Sequence, residues 1–194
     1  MLTLDEMPQE IQSIQTGGSG GDTSSEKYDD IVIGNQPLIE KYETKSSGEI
    51  RDYAFYNCGN LKEINLPNIT TIGYASFQTT GLEKVVLPNV TYLNGSCFRD
   101  CSLLTTIDCH LPLTAMASYC FRDSSLNTLI LRGNELSICG SSYVIYRCPI
   151  ADGTGYIYVP SALLEQYKVA TNWTTYANQF RAIEDYPEIC GEVS

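Results

Sequence analysis

The stretch Ile50-Arg-Asp-Tyr-Ala-Phe-Tyr-Asn-Cys-Gly-Asn-Leu-Lys-Glu-Ile-Asn-Leu-Pro67 returns along the chain, and this repetition constrains the fold more than any other feature. Four copies align without gaps over Ile50–Phe55, Ile72–Phe77, Leu93–Phe98 and Met116–Phe121, giving a column of Phe55, Phe77, Phe98 and Phe121. Shortly after each phenylalanine comes an L-x-x-I-x-L block: Leu61/Ile64/Leu66, Leu82/Val85/Leu87, Leu104/Ile107/Cys109 and Leu126/Leu129/Leu131. Self-similarity with a step of 21 to 23 residues is the signature of a stacked repeat array. Ile64-x-Leu66 alternates like a strand with one face turned inward. Pro67 and Pro88 end that pairing, because proline has no N–H to donate. A single unit cannot bury its apolar side, whereas stacked units give parallel strands with Phe and Leu ladders inside.

Residues 31–160 read as about five such units. Ile39-x-x-Tyr42-x-Thr44 is a starting strand. Ile138 to Tyr143 repeats the apolar-to-aromatic spacing, with Ser142 in the small position before the ring. Ile157-x-Val159-Pro160 then closes the fifth unit across a loop at 144–156. Residues 161–194 read as a C-terminal helical cap and an acidic tail. Ser161 supplies an N-cap signal. Leu163, Tyr167 and Ala170 lie at helical spacing, Trp173, Tyr176 and Phe180 form a second apolar cluster, and Arg181–Ile183 is a final extended segment. Before the array, Leu4, Met7, Ile11 and Ile14 mark residues 1–16 as an amphipathic helix. It is either a frayed tail or a docking and oligomerisation segment that builds a homo-oligomer or larger assembly. Residues 17–30, with Gly17-Gly-Ser-Gly-Gly21, have linker composition.

The cysteines follow the repeat register. The residue before each phenylalanine is small: Ala54, Ser76, Cys97 and Cys120. Cys58 and Cys101 share the third place after the ring with Thr80 and Ser124, and Cys109 stands where other units have leucine. Packing as small buried hydrophobes accounts for them. A Cys97–Cys120 or Cys58–Cys101 bridge stays open, although Ala, Ser and Thr in sister units argue against an obligatory one.

The formal net charge of −11 is concentrated at the ends. Seven acids face Lys27 alone in residues 1–30, four acids and no base occupy 184–194, and the body between is near neutral. These flanks read as solvated. No basic surface is available for phosphates, so nucleic acid is not an expected partner. No apolar run reaches the ~18 residues of a membrane span, and Met1–Pro8 lacks the basic and apolar regions of a signal peptide. Membrane insertion is therefore not expected. The single histidine, His110, has no partnered nucleophile and reads as a surface residue. Cys97-x-x-x-Cys101 and Cys139 lack zinc-site spacing, and there is no phosphate-binding glycine loop or nucleophile elbow. Neither enzymatic activity nor a cofactor is expected. Arg99/Asp100 and Arg122/Asp123 read as exposed charge ladders. Asn-x-Ser/Thr sequons begin at Asn68, Asn89, Asn94 and Asn172.

The unit I-x-x-x-A-F-x-x-C-x-x-L-x-x-I-x-L-P resembles the BspA-type leucine-rich repeat over about residues 39–160. The stretch at Asp108–Pro112 and the loop at 144–156 are its main departures. The resemblance implies an α/β repeat protein, a short right-handed solenoid with parallel strands, and a non-catalytic, adhesin-like role in binding a protein or glycan. Some relatives are surface adhesins and others are encoded among phage tail genes. A compact array behind a helix and glycine linker looks like a component mounted on a cell surface or virion.

The expected binding face is the outward side of the parallel strands. Its row is Asn65, Val86, Asp108, Ile130 and Tyr158, three of them apolar or aromatic. Tyrosine outnumbers phenylalanine 14 to 5 and suits protein- or sugar-binding surfaces. The candidate ligand residues are Val86, Ile130, Tyr143, Tyr146, Tyr156 and Tyr158.

Overall fold

The computed structural model describes residues 28–29 and 38–191. The amphipathic segment at 1–16, nearly all of the 17–30 linker and the last residues of the acidic tail lie outside them. Twelve short strands occur among the described residues: β1 (Tyr28–Asp29), β2 (Lys41–Glu43), β3 (Gly48–Ile50), β4 (Glu63–Asn65), β5 (Ile69–Ile72), β6 (Lys84–Leu87), β7 (Tyr92–Leu93), β8 (Thr106–Cys109), β9 (Ala115–Met116), β10 (Thr128–Leu131), β11 (Tyr156–Val159) and β12 (Phe180–Ala182). All pairing is parallel. The L-x-x-I-x-L blocks supply β4, β6, β8 and β10; β11 and β12 extend β6-β8-β10 into a five-stranded sheet, and β4 pairs separately with β2. A second sheet, β1-β3-β5-β7-β9, comes from the residues leading into each phenylalanine turn. Each unit therefore contributes to two rows, where the sequence pattern suggests one. The strands of this second sheet, two to four residues long, are too short to show an alternation of their own.

Between the rows runs one continuous core. Phe55, Phe77, Phe98 and Phe121 stack nearly parallel at 5.0, 5.3 and 5.8 Å between centroids. Tyr42 of the first unit tilts onto Phe55 at 4.5 Å. The turns carrying these rings repeat two left-handed positions. One, two residues before the ring, holds Tyr53, Ala75, Ser96 and Tyr119; the other, two residues after it, holds Asn57, Thr79, Asp100, Asp123 and Arg147. Left-handed geometry costs about 1–2 kcal/mol for a residue with a Cβ. It turns the N–H along the stack, where Asn57, Thr79 and Asp100 each donate to the next turn at 2.9 Å. The phenylalanine N–H groups do the same toward Ser76, Cys97, Cys120 and Val144.

That last partner corrects the fifth unit. Phe121 donates to Val144 rather than to Ser142, so Ile145, not Tyr143, continues the phenylalanine column. The bridge Met116–Cys139 places Cys139, not Ile138, at the start of the unit. The connection is one residue longer than in the other copies, and Tyr143 is moved out to the surface, 50% exposed.

The cysteine columns are packing positions. Cys97, Cys101, Cys109, Cys120, Cys139 and Cys148 are buried free thiols, and Cys190 is exposed. In the column three residues after the ring, Thr80 and Ser124 donate to the carbonyls of Phe77 and Phe121, and Cys148 to that of Ile145. Cys101 reaches the Phe77 carbonyl of the preceding turn at 3.0 Å. A small donor is what this place requires, which explains the interchange of Cys, Ser and Thr. Burial pushes the Cys101 and Cys148 thiols up to about 11, and burial with its neighbour Cys120 holds the Cys97 thiol well above its ordinary range.

After β11 the chain packs Tyr167, Trp173, Tyr176 and Phe180 into the main core. Trp173 Nε1 donates to the Ser137 carbonyl at 2.8 Å, and the Ser137 N–H donates to the Tyr167 hydroxyl at 2.8 Å. Ser161 does not act as an N-cap. Its backbone N–H is taken by the Glu184 carboxylate at 2.9 Å, a short 3₁₀ turn follows, and the α-helix begins only at Leu164.

Two outcomes follow. Thr79→Asn is expected to stabilise the chain by about 0.5–1 kcal/mol in urea denaturation, because a β-branched residue is poorly suited to the left-handed region and asparagine tolerates it. With a thiol reagent in native buffer, Cys190 is expected to react at once and the buried cysteines only on unfolding, since the thiolate is the reactive form.

Candidate functional site

The outward strand face is the first candidate, and the structure divides it. Glu43 and Asn65 pair on the separate two strands, and the row continues as Val86, Asp108, Ile130, Tyr158 and Arg181 in register. Val86 is 48% exposed, as expected. Ile130 is fully buried, and Tyr158 keeps 8% exposure. They form a second apolar cluster with Ile183, against which Tyr186 and Ile189 pack. Tyr158 meets the Tyr186 ring edge-on at 5.0 Å. Burial raises the Tyr158 phenol above its ordinary range, with smaller contributions from Tyr186 and Glu188. The expected apolar surface at Ile130 and Tyr158 is thus an interior contact. The end of the chain is not wholly a solvated flank: Glu184, Asp185 and Glu188 face water while Ile183, Tyr186 and Ile189 turn inward.

Asp108 explains how a carboxylate survives in this row. It is buried, and Arg132 grips it with Nε at 2.8 Å from Oδ1 and Nη2 at 2.9 Å from Oδ2. The same Nη2 donates to the Ile189 carbonyl at 2.7 Å, which ties the C-terminal segment down. His110 is half-buried rather than fully on the surface, with Nε2 3.8 Å from Asp108 Oδ1. Among the described residues no group of three or more His, Cys, Asp or Glu is placed to hold a metal ion.

The exposed tyrosines gather elsewhere, on the edge formed by the phenylalanine turns. Tyr143 is 50% and Tyr146 41% exposed. Their rings stand almost perpendicular, 84° at 5.6 Å, and Tyr143 also tilts onto Tyr119 at 5.8 Å. The Arg122 guanidinium lies over Tyr119 and Tyr146 at 5.1 and 5.8 Å. Asp123 holds Arg122 at 2.9 Å and Arg147 at 3.1 Å. Arg99–Asp100 and Arg122–Asp123 are thus half-buried pairs within single turns rather than exposed ladders, and the second pair lies against the aromatic rings. Tyr143 and Tyr146 border an open depression of about 490 Å³ that also takes in Arg147, Asp152, Thr175 and Tyr176. At the other end of the same edge, Tyr53 meets Tyr56 and Tyr74 edge-on at 5.9 and 5.5 Å.

Tyr156 belongs to the strand face, with Arg181 4.3 Å over its ring and Tyr158 at 6.4 Å. No ring contact joins it to Tyr143 or Tyr146 among the described residues, so the six expected ligand residues do not form one patch. Sequence reasoning missed Tyr53, Tyr74 and Tyr119, although all three lie within three residues of the phenylalanine column. The sequon asparagines serve the stack: the Asn68 and Asn89 amides donate to Lys45 and Pro67 carbonyls, and the Asn172 amide to that of Cys139.

Ile130→Asp is expected to destabilise the fold by about 4 kcal/mol or more, by burying an unpaired carboxylate. Arg132→Ala is expected to cost about 3–5 kcal/mol by stranding Asp108. Val86→Thr, in the same row but in water, is expected to stay within about 0.5 kcal/mol. Denaturant melts of the three variants compare them directly.

A family profile described as BspA type leucine rich repeat region matches in 6 copies over residues 36–150. No curated protein matches the chain at a significant level. With the two parallel rows and the stacked phenylalanines, that match covers more than half the chain, which belongs to the BspA-type leucine-rich repeat family.

Proposed function

We propose that this chain is a non-catalytic, adhesin-like interaction module: a right-handed solenoid, closed by its C-terminal segment, that binds a protein or glycan through the tyrosine-bearing edge of its turns. The observation that carries this reading is the pair Tyr143 and Tyr146, exposed yet held by Arg122 and Asp123 at the rim of a depression. Aromatic side chains offer large contact area at low entropic cost, and their immobilisation before binding favours affinity. Repeat arrays fill their interior with packing residues and present function on the positions that vary between copies. Tyr143, Tyr146 and Arg147 are such positions. Val86 and Tyr156, on the strand face, are secondary candidates. A competing proposal makes the array a tail-like assembly component multimerised through residues 1–16, favoured by the Gly17–Gly21 linker. Particle size with and without residues 1–27 separates the two.

A screen of immobilised matrix proteins and glycans tests the binding reading. At least one ligand is expected to bind, and the double variant Tyr143→Ala/Tyr146→Ala is expected to weaken it about tenfold or more while leaving the melting curve unchanged. Full binding by the double variant would move the site off this edge.

A further inference from the structure

The depression beside Tyr143 and Tyr146 has a lining suited to one kind of ligand. Two exposed rings meet at 84° and make an L-shaped corner. Asp152, Thr175 and Arg147 line the same depression. Asp152 is exposed and makes no ion pair among the described residues, so its two oxygens are available as acceptors. The Arg147 side chain is 62% exposed and shares the Asp123 carboxylate, 3.1 Å away, with Arg122. Tyr176 closes the floor, its hydroxyl already donating to the Ser142 carbonyl. The surface therefore combines apolar ring faces with hydrogen-bonding groups, and its two arginines, Arg122 and Arg147, are matched by two acids, Asp123 and Asp152.

A pyranose ring has the complementary construction. Its axial C–H groups make an apolar face that lies on an aromatic ring, and its vicinal hydroxyls donate in pairs to a carboxylate. A volume of about 490 Å³ falls within the range of small-ligand sites. Charge selects among sugars: two arginines against two acids leave no net positive charge to draw a carboxylate or a sulfate.

We propose that this depression binds a terminal neutral hexopyranose of a glycan, with Tyr143 and Tyr146 as the stacking corner and Asp152 as the hydroxyl acceptor. The proposal rests on the binding-module reading and narrows its ligand to a saccharide.

The test uses the full chain on an array of neutral, sialylated and sulfated glycans, followed by NMR titration with methyl hexopyranosides. Neutral glycans are expected to bind in preference to acidic ones, with amide shifts confined to Tyr143, Tyr146, Asp152 and their neighbours. Tyr143→Ala and Tyr146→Ala are each expected to weaken binding about three- to tenfold. Asp152→Asn is expected to weaken it as well, whereas Tyr53→Ala at the far end of the edge leaves it unchanged. Preference for acidic glycans, full binding by both tyrosine variants, or no neutral glycan bound at millimolar concentration would overturn the proposal. If no glycan binds but a matrix protein is lost in the double tyrosine variant, the saccharide is wrong and the binding module stands. If neither binds, both readings fall.

Discussion

The stacking interval set by backbone hydrogen bonds governs the whole molecule. Parallel strands lie about 4.7–4.9 Å apart, and two rows of them run along the array at once. The phenylalanine turns between the rows keep the same interval by placing non-glycine residues in the left-handed region, where their N–H groups meet the next turn. Rings mounted on such a ladder arrive at 5.0 to 5.8 Å and nearly parallel. The interval also explains the small residues. Gly81 rests so closely on Gly59 that a Cβ there would overlap the Gly59 carbonyl oxygen. Left-handed strain at each turn is offset by an inter-unit hydrogen bond worth about 0.5–1.5 kcal/mol net.

Such a ladder leaves open ends and an open face, and here the C-terminal segment covers much of the strand face. Tyr186 and Ile189 fold back over Ile130 and Tyr158, and Arg132 joins Asp108 to the Ile189 carbonyl. One buried guanidinium thus satisfies a carboxylate inside the row and a backbone acceptor above it. The surface left to a ligand lies on the turn edge. There Arg122 and Asp123 hold tyrosines that have no role in the core.

The repeat made much of the fold legible before any coordinates. The Phe and Leu columns, the parallel strands, the packing role of the cysteines and the family all follow from spacing, because identical units on a fixed interval must place like residues on like. The fifth unit escaped for a simple reason. Ile145 is not aromatic, Tyr143 is, and a connection longer by one residue cannot be aligned by residue type alone. The bridge from Met116 to Cys139 and the Phe121–Val144 hydrogen bond settle that register.

What the sequence by itself determined is the local rule: which residues point inward, where each strand ends, and why Cys, Ser and Thr exchange in one column. Only the tertiary structure decided which outward residues meet water. Ile130 and Val86 occupy equivalent places in the repeat, yet one is buried and the other 48% exposed. The difference comes from a segment more than fifty residues after Ile130 in the chain. Periodicity records the environment within a unit, and a segment that is not part of the repeat leaves no trace in it. The tyrosine edge is the complementary case. Its residues are visible in the sequence, but their convergence on one depression depends on how successive turns stack.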